Sequence, residues 1–550
     1  MTVLSREAAH GGRPNFYTTD ETLRRILQHS LDGPFFGYAD RQLTEFGAKC
    51  AGELDERARH TDRNGAPQLI RYDKYGEEVS EVWVNEGYRR TVDETYRTGI
   101  AAYVHKEIPE LGRTGNYTYS FAQGYVLSQS EPGFYCPVTL TMATAYLLDH
   151  FADDELKRKF LPHVCSTGET ELFEGATFLT ERQGGSDVGA NSLKAAEENG
   201  TWRLYGEKYF ASNAGMAGVA MVLARMEGAP AGSKGLTLFA VPWRTEDGSL
   251  NGIRIRRLKD KLGVRAVPSG EVEFDGAEAF IVGDPKNGLK YMMEALNLSR
   301  ISNAAASVGI MRRAFTEALD YTSRRQAFGS YLTDYPAVRD TLVKLTVKQE
   351  METAALFDLI GLYDRVTAGQ TTEAESILCR LLIAVMKKET AEQAVRFAHE
   401  AIELHGGNGY IEDFVTPRLL RDAQVLTVWE GTANILALEL IRLVNKFSGH
   451  LLFIDHLEQR QAGLPAAARR EIAKLCEKLE RFADYGHDRQ TVEAKKLMED
   501  MAKCYESVVA SEWAERFGGR YALMAELYME EAFGQENSMK AAETFDRIIR

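Results

Sequence analysis

In the stretch Asp422-Ala-Gln-Val-Leu-Thr-Val-Trp-Glu-Gly-Thr-Ala-Asn434, one carboxylate, Glu430, follows an apolar run and precedes a helix start. An acid there has two uses. It can complement the positive end of a helix dipole, because Gly431-Thr432 followed by Ile435, Leu436, Leu438, Leu440, Ile441 and Leu443 reads as a capped helix with a buried stripe. Alternatively, it serves as a catalytic base. The acid alone does not decide between them.

Four further stretches carry groups suited to a phosphate-bearing aromatic ligand. Thr180-Glu-Arg-Gln-Gly-Gly-Ser-Asp-Val188 sets paired glycines beside hydroxyls, which lets backbone amides approach a phosphate or a flavin edge. Gly206-Glu-Lys-Tyr-Phe-Ala-Ser-Asn213 puts Phe210 and Ser212 at alternating positions on one strand face. In Ser323-Arg-Arg-Gln-Ala-Phe-Gly329, one of the two arginines can grip a pyrophosphate at the end of a long helix. Glu403-Leu-His-Gly-Gly-Asn-Gly-Tyr410 is a glycine-rich break suited to close backbone contact with a ligand, and His405 within it reads as structural. Singly, each is equally well a turn, a strand or a helix end.

The elements that must hold these residues follow from periodicity. Residues 1–170 read mainly as helices, for example Val138 to Leu148 and, with an acidic start and a basic end, Asp153 to Phe160. The crowded aromatics between Tyr117 and Tyr135 read as core. Residues 171–285 change to short β-rich segments, including Trp202–Tyr205, Val219–Leu223, Leu236–Val241, Ile253–Ile255 and Val272–Phe274, with glycines between them. That spacing predicts a small barrel or sandwich. Residues 286–445 return to a helical period, which predicts a helix bundle, and residues 446–550 form a further helical region.

Bulk properties restrict the class. The 550 residues, 44% apolar and 27% charged, include no run near the ~20 needed to cross a bilayer. The start, Met1 to His10, lacks the apolar core of a secretory signal. The six cysteines are scattered without a Cys-x-x-Cys pair, so no metal site is expected and the thiols are expected reduced, in a cytoplasmic protein. A net charge of −14 argues against nucleic acid and anionic membrane as partners.

Taken in order, Thr-Glu-x-x-x-Gly-Ser-Asp, Arg-x-x-Phe-Gly, Gly-Gly-Asn-Gly and Trp-Glu-Gly-Thr resemble the motifs of the acyl-CoA dehydrogenase family of flavoproteins over about residues 90 to 445. The length, the Tyr135-Cys-Pro-Val-Thr-Leu-Thr141 stretch and the extra C-terminal helices resemble its long, AidB-like branch. The resemblance implies an α+β multidomain fold: a helical N-terminal domain, a middle β-barrel, a C-terminal four-helix bundle and an additional helical region. It also implies FAD as cofactor. Leu179, Thr180, Gly185, Ser186, Phe210 and Ser212 would meet it from the barrel side; Arg325, Phe328, Gly406 and Gly407 would reach the FAD of a neighbouring subunit, which implies a dimer or tetramer; Glu403 would lie near the FAD, and Thr432 and Asn434 would also face it.

Glu430 takes the place of the family's catalytic base. The resemblance implies that it removes the α-proton of an acyl-CoA while flavin N5 accepts the β-hydride, giving a trans-2-enoyl-CoA, with electrons passed on to electron-transfer flavoprotein. The Glu430 backbone N–H and a cofactor hydroxyl would polarise the thioester carbonyl. Arg300, Trp429 and Gly431 are the substrate-side candidates, Trp429 lining the acyl pocket. An alternative base position on the Arg300 helix is Ser299, which cannot serve. Glu403 and Tyr335-Pro336 depart from residues common in shorter members and bear on fine FAD contacts. The competing reading is an AidB-like, nucleic-acid-associated flavoprotein, against which residues 451–550 carry 15 basic and 19 acidic side chains. An oxygen-using acyl-CoA oxidase is the third.

Overall fold

A computed structural model describes residues 14–534 and 537–549; the stretch read above for a secretory signal lies outside them. The chain divides into two compact units, Arg41–Ser302 and a second made of Met1–Asp40 with Asn303–Arg550. Helices α1 (Glu21–Ser30), α2 (Gly33–Lys49) and α3 (Asp55–Arg63) come first, followed by a hairpin of β1 (Gln68–Tyr72) and β2 (Glu78–Trp83). The hairpin corrects the helical reading of this region: Asp73 and Gly76, at φ 86°, make its turn. Then come α4 (Glu86–Tyr96), the short pair β3 (Glu107–Ile108) and β4 (Arg113–Thr114), α5 (Tyr117–Ser128), α6 (Pro132–Phe151) and α7 (Asp154–Val164), the last capped by the Asp153 side chain.

The middle segment is a seven-stranded β-sheet. Its strands are β5 (Glu174–Phe178), β6 (Lys194–Glu198), β7 (Thr201–Ser212), β8 (Ala217–Met226), β9 (Leu236–Pro242), β10 (Ile253–Leu258) and β11 (Ser269–Ile281). The order is β10-β11-β7-β6-β8-β5, and β9 pairs with both β8 and β11. The sheet is mixed, because β5 and β6 run parallel to β8. The segment Leu236–Val241, apolar except for Thr237, is buried on both faces, as a strand covered from two sides must be. Its neighbours include Leu147, Phe160, Met221, Leu223 and Met292.

Helix α8 (Gly288–Arg324) carries the chain through the boundary between Ser302 and Asn303. A hairpin of β12 (Gln326–Ala327) and β13 (Ser330–Tyr331) leads to α9 (Pro336–Thr367), which opens on a proline, and α10 (Glu373–His405), whose start is a capping box of Thr372 and Glu375. Gly406, at φ 60°, ends α10. Next are α11 (Thr416–Leu426), α12 (Ala433–Phe447), α13 (Gly449–Arg460), α14 (Ala466–Ala483), α15 (His487–Phe517), α16 (Gly519–Ala532), α17 (Ser538–Glu543) and α18 (Phe545–Ile548). Leu436, Leu440, Leu443 and Val444 form the buried stripe expected of α12, but Leu438 faces outward.

The C-terminal helices are fastened to α9 and α10 by buried ions. Lys348 of α9 pairs with Glu389 of α10 at 3.0 Å, Glu506 of α15 at 2.8 Å and Glu352 at 3.2 Å. The three carboxylates are close enough to hold a metal ion, and the ammonium sits among them. Arg520 of α16 grips Glu350 of α9 with two nitrogens at 2.6 and 2.7 Å, and Arg460 joins Asp358 to Glu512.

Candidate active site

Glu430 lies between α11 and α12 in a loop with an unusual backbone. The amides of Val428 and Trp429 still bond the Val425 carbonyl, and then Glu430 turns left-handed at φ 60°, followed by Gly431 at 106°. A non-glycine residue there stores roughly 1–3 kcal/mol and persists only where the surroundings impose it. Dipole complementation would not require such a turn. The Thr432 side chain makes no capping bond, contrary to the simple capped-helix reading, and both Thr432 and Asn434 are exposed. The first amides of α12 therefore remain available to an anion. Trp429 is half-buried.

Lys387, which the sequence reading passed over, also belongs to this loop. From the middle of α10 its Nζ donates to the Gly431 carbonyl at 2.7 Å, although the residue is 1% exposed. Its signal was available: two lysines directly after the apolar run Leu381–Met386, inside a helix.

In the unit Arg41–Ser302, the β-side candidates come together around the end of β7. The Tyr209 amide donates to the Thr180 carbonyl at 2.9 Å, which brings Thr180 beside Phe210. A Cβ on Gly185 would lie 2.5 Å from Thr180 Oγ1, so the loop closes over Thr180 only with glycine there. Ser186 is exposed. The alternation expected of β7 is interrupted by a bulge opposite Gly270–Val272 that contains Tyr209 and Phe210, and within it Phe210 turns outward, 55% exposed. Ser212 follows on the same face, paired with Ser269. Exposed amides, an outward ring and a hydroxyl together suit a flavin and its phosphates.

Beneath this loop is a buried ion pair. Lys208 Nζ meets Glu181 at 2.9 Å and donates to the Leu179 carbonyl at 3.3 Å. Burial pulls the ammonium down to about 8 against the attraction of Glu181. Burial pushes the Glu181 carboxyl up, but the Lys208 charge and the Ser192 and Leu193 amides outweigh it and hold the acid below its usual range. Arg300, on α8, is buried beside Asn297. Ser299 next to it is buried as well.

In the other unit, the two remaining motifs meet through Tyr321. The β12–β13 turn is Phe328-Gly329, both left-handed at φ 50° and 87°, and the Phe328 ring is 99% exposed. Arg325 is exposed at its base, and Tyr335 donates to the Ala327 carbonyl. The ring of Tyr321 stacks on His405 at 4.3 Å and its hydroxyl accepts from Asn408, which fixes the Gly406–Tyr410 turn. Gly406, Gly407 and Glu403 are exposed there. His405 bonds the Ala401 carbonyl, and burial lowers its pKa, in keeping with a structural part.

Comparison with known proteins agrees with the motifs. The chain matches the models for the acyl-CoA dehydrogenase C-terminal domain over residues 286–444 and middle domain over 176–277, and the adaptive response protein AidB N-terminal domain over 8–168. It is 33% identical to acyl-CoA dehydrogenase family member 11 of Caenorhabditis elegans over 446 residues, 79% of this chain and 71% of that one. The chain belongs to the acyl-CoA dehydrogenase family. This is a family of FAD-dependent oxidoreductases. Putative acyl-CoA dehydrogenase AidB of Escherichia coli (strain K12) is 32% identical over 70% of each chain. The solved ACDH-11 of Caenorhabditis elegans in complex with C11-CoA superposes with TM-score 0.86 at 27% identity, covering 99% of this chain and 93% of that one. Like them, this acyl-CoA dehydrogenase family member has N-terminal helical, middle β-sheet and C-terminal helical parts.

Proposed function

We propose that this protein dehydrogenates an acyl-CoA thioester to the trans-2-enoyl-CoA, with Glu430 as the base. The observation that carries the reading is the left-handed backbone of Glu430, a strained carboxylate at an open helix start. Glu430 takes the α-proton onto its carboxylate while the α,β double bond forms and the β-hydrogen leaves with its electron pair. FAD, when bound, supplies the acceptor for that pair. The Glu430 amide polarises the thioester carbonyl, and Arg300, Trp429 and Gly431 shape the substrate side. Leu179, Thr180, Gly185, Ser186, Phe210 and Ser212 hold the cofactor from a sheet that we read as a barrel.

The bare Phe328 ring and exposed Arg325 support a contact with a second copy, in which Arg325, Phe328, Gly406 and Gly407 reach the partner's cofactor, while Glu403 lies near the cofactor and Thr432 and Asn434 face the chain's own. A homo-oligomer in the cytoplasm, passing electrons to electron-transfer flavoprotein, is part of this reading. The acidic C-terminal region favours it over the nucleic-acid-associated role that likeness to AidB raises.

Anaerobic mixing of the FAD-loaded protein with butyryl-, octanoyl- and lauroyl-CoA tests the proposal. At least one should bleach the flavin, and Glu430→Gln should keep FAD while slowing bleaching about 10²- to 10⁴-fold, as loss of a general base does. Rapid bleaching by Glu430→Gln would refute the assignment.

A further inference from the structure

We propose that Lys387 is a positioning residue for Glu430, an inference that rests on the dehydrogenation reading above. A lysine in the middle of a helix, 1% exposed, requires a strong partner, because a desolvated ammonium is costly unless it is hydrogen-bonded. Lys387 Nζ finds one in the Gly431 carbonyl, at 2.7 Å. That carbonyl lies one residue before the first acceptor of α12, the Thr432 carbonyl, to which Leu436 donates at 3.0 Å. The regular helix therefore offers it no partner.

The chain between the last amide bonded by α11, at Trp429, and the first carbonyl used by α12, at Thr432, consists of Glu430 and Gly431, both left-handed. Such a turn can relax unless its far side is tied down. Lys387 ties it to α10, a helix of 33 residues that also packs against α11 and α12. A fixed donor on a rigid helix thus sets the direction in which the carboxylate of Glu430 leaves the backbone. The charge contributes too: a charge-assisted bond to a carbonyl is stronger than a neutral one. The residue that precedes α12 does not do this, since the Thr432 hydroxyl makes no cap.

The test uses the FAD-loaded full chain and the variants Lys387→Met, Lys387→Gln and Lys387→Arg. Hydrogen exchange of amides 428–436 is measured with stopped-flow flavin reduction by an acyl-CoA that bleaches the wild type. Lys387→Met should speed exchange in this loop roughly 10-fold while leaving the rest of α12 unchanged. Its limiting reduction rate should fall about 10²-fold, the usual effect of an ångström of misplacement, with the apparent KM within about 3-fold. Lys387→Arg should recover most of both; Lys387→Gln should lie between.

Unchanged exchange and an unchanged limiting rate in Lys387→Met would overturn the inference, as would exchange raised throughout the unit with no recovery in Lys387→Arg. Should Lys387→Met fail to fold, an unaltered rate in Lys387→Gln has the same force. If Glu430→Gln still bleaches, the base assignment falls by itself, and loop exchange in Lys387→Met still shows whether Lys387 holds the turn.

Discussion

Lys208→Met is expected to loosen the FAD side of the site from beneath. The ammonium is fully buried, and its drop from the ordinary 10.5 to about 8 means that burial outweighs the pull of Glu181 by about 3 kcal/mol. Deleting the lysine removes that cost. It also strands Glu181, 5% exposed at its side chain, with the Ser192 and Leu193 amides and the Ser192 hydroxyl but no cation. Breaking a buried pair from one side costs about 3–5 kcal/mol net. For a unit of this size that is roughly 10 °C in Tm. The loss should appear first in the loop from Leu179 to Ser192, so FAD should be released on gel filtration before the protein unfolds. Lys208→Met with Glu181→Gln removes both charges and keeps an acceptor for the amides, and should recover most of the Tm and the flavin. If Lys208→Met melts within about 2 °C of the wild type with full flavin absorbance, the pair does not pin the loop.

Other perturbations have equally definite signs. Burial lifts Glu174 to about 7, with the Tyr96 hydroxyl and Asn213 opposing it. Its folded value exceeds the unfolded one near 4.5, so its contribution is complete below about 4.5 and is lost as pH rises through about 7. Thermal unfolding between about pH 5 and pH 8 should therefore show a falling Tm that Glu174→Gln flattens. Arg520→Met strands Glu350, whose carboxyl is pushed up by burial but held low by Arg520 and Arg312. Melting curves should show a cost of about 3–5 kcal/mol, recovered by adding Glu350→Gln; a single variant as stable as the double would contradict the pairing.

The strands of the middle sheet were legible because Trp202–Tyr205, Val219–Leu223, Leu236–Val241, Ile253–Ile255 and Val272–Phe274 are short segments rich in β-branched and aromatic residues with turn glycines between them, and each falls within an observed strand. The outward placement of Phe210 was expected for a reason that needed amendment, since alternation alone does not turn it outward and a bulge does. The β1–β2 hairpin was missed because its strands are short and charged, although Asp73 and Gly76 marked the turn. Glu430 could be found from its motif, but its left-handed backbone could not, because nothing in Trp429-Glu430-Gly431 requires the turn one residue before the glycine. Lys387, Lys208 and Glu174 share one difficulty: charged residues in buried strands or helices acquire meaning only from partners at 44, 27 and, for Tyr96 with Glu174, 78 positions' separation.

Glu350 also bears on how the chain is made. Besides Arg520 it accepts from the hydroxyl of Thr22, which lies 3.2 Å from that of Tyr521. One unit is therefore assembled from both ends of the polypeptide, while Arg41–Ser302 is continuous. On a ribosome adding about 5–20 residues per second, α1 emerges roughly 25–100 s before its α16 partner exists. The continuous unit can fold in that interval, whereas Thr22, Leu23, Ile26 and Leu27, buried in the finished protein, must wait. Synthesis thus leaves a short amphipathic helix without its site until α9, against which it packs, has been made, and without the Tyr521 contact until later still, a natural client for a holding chaperone.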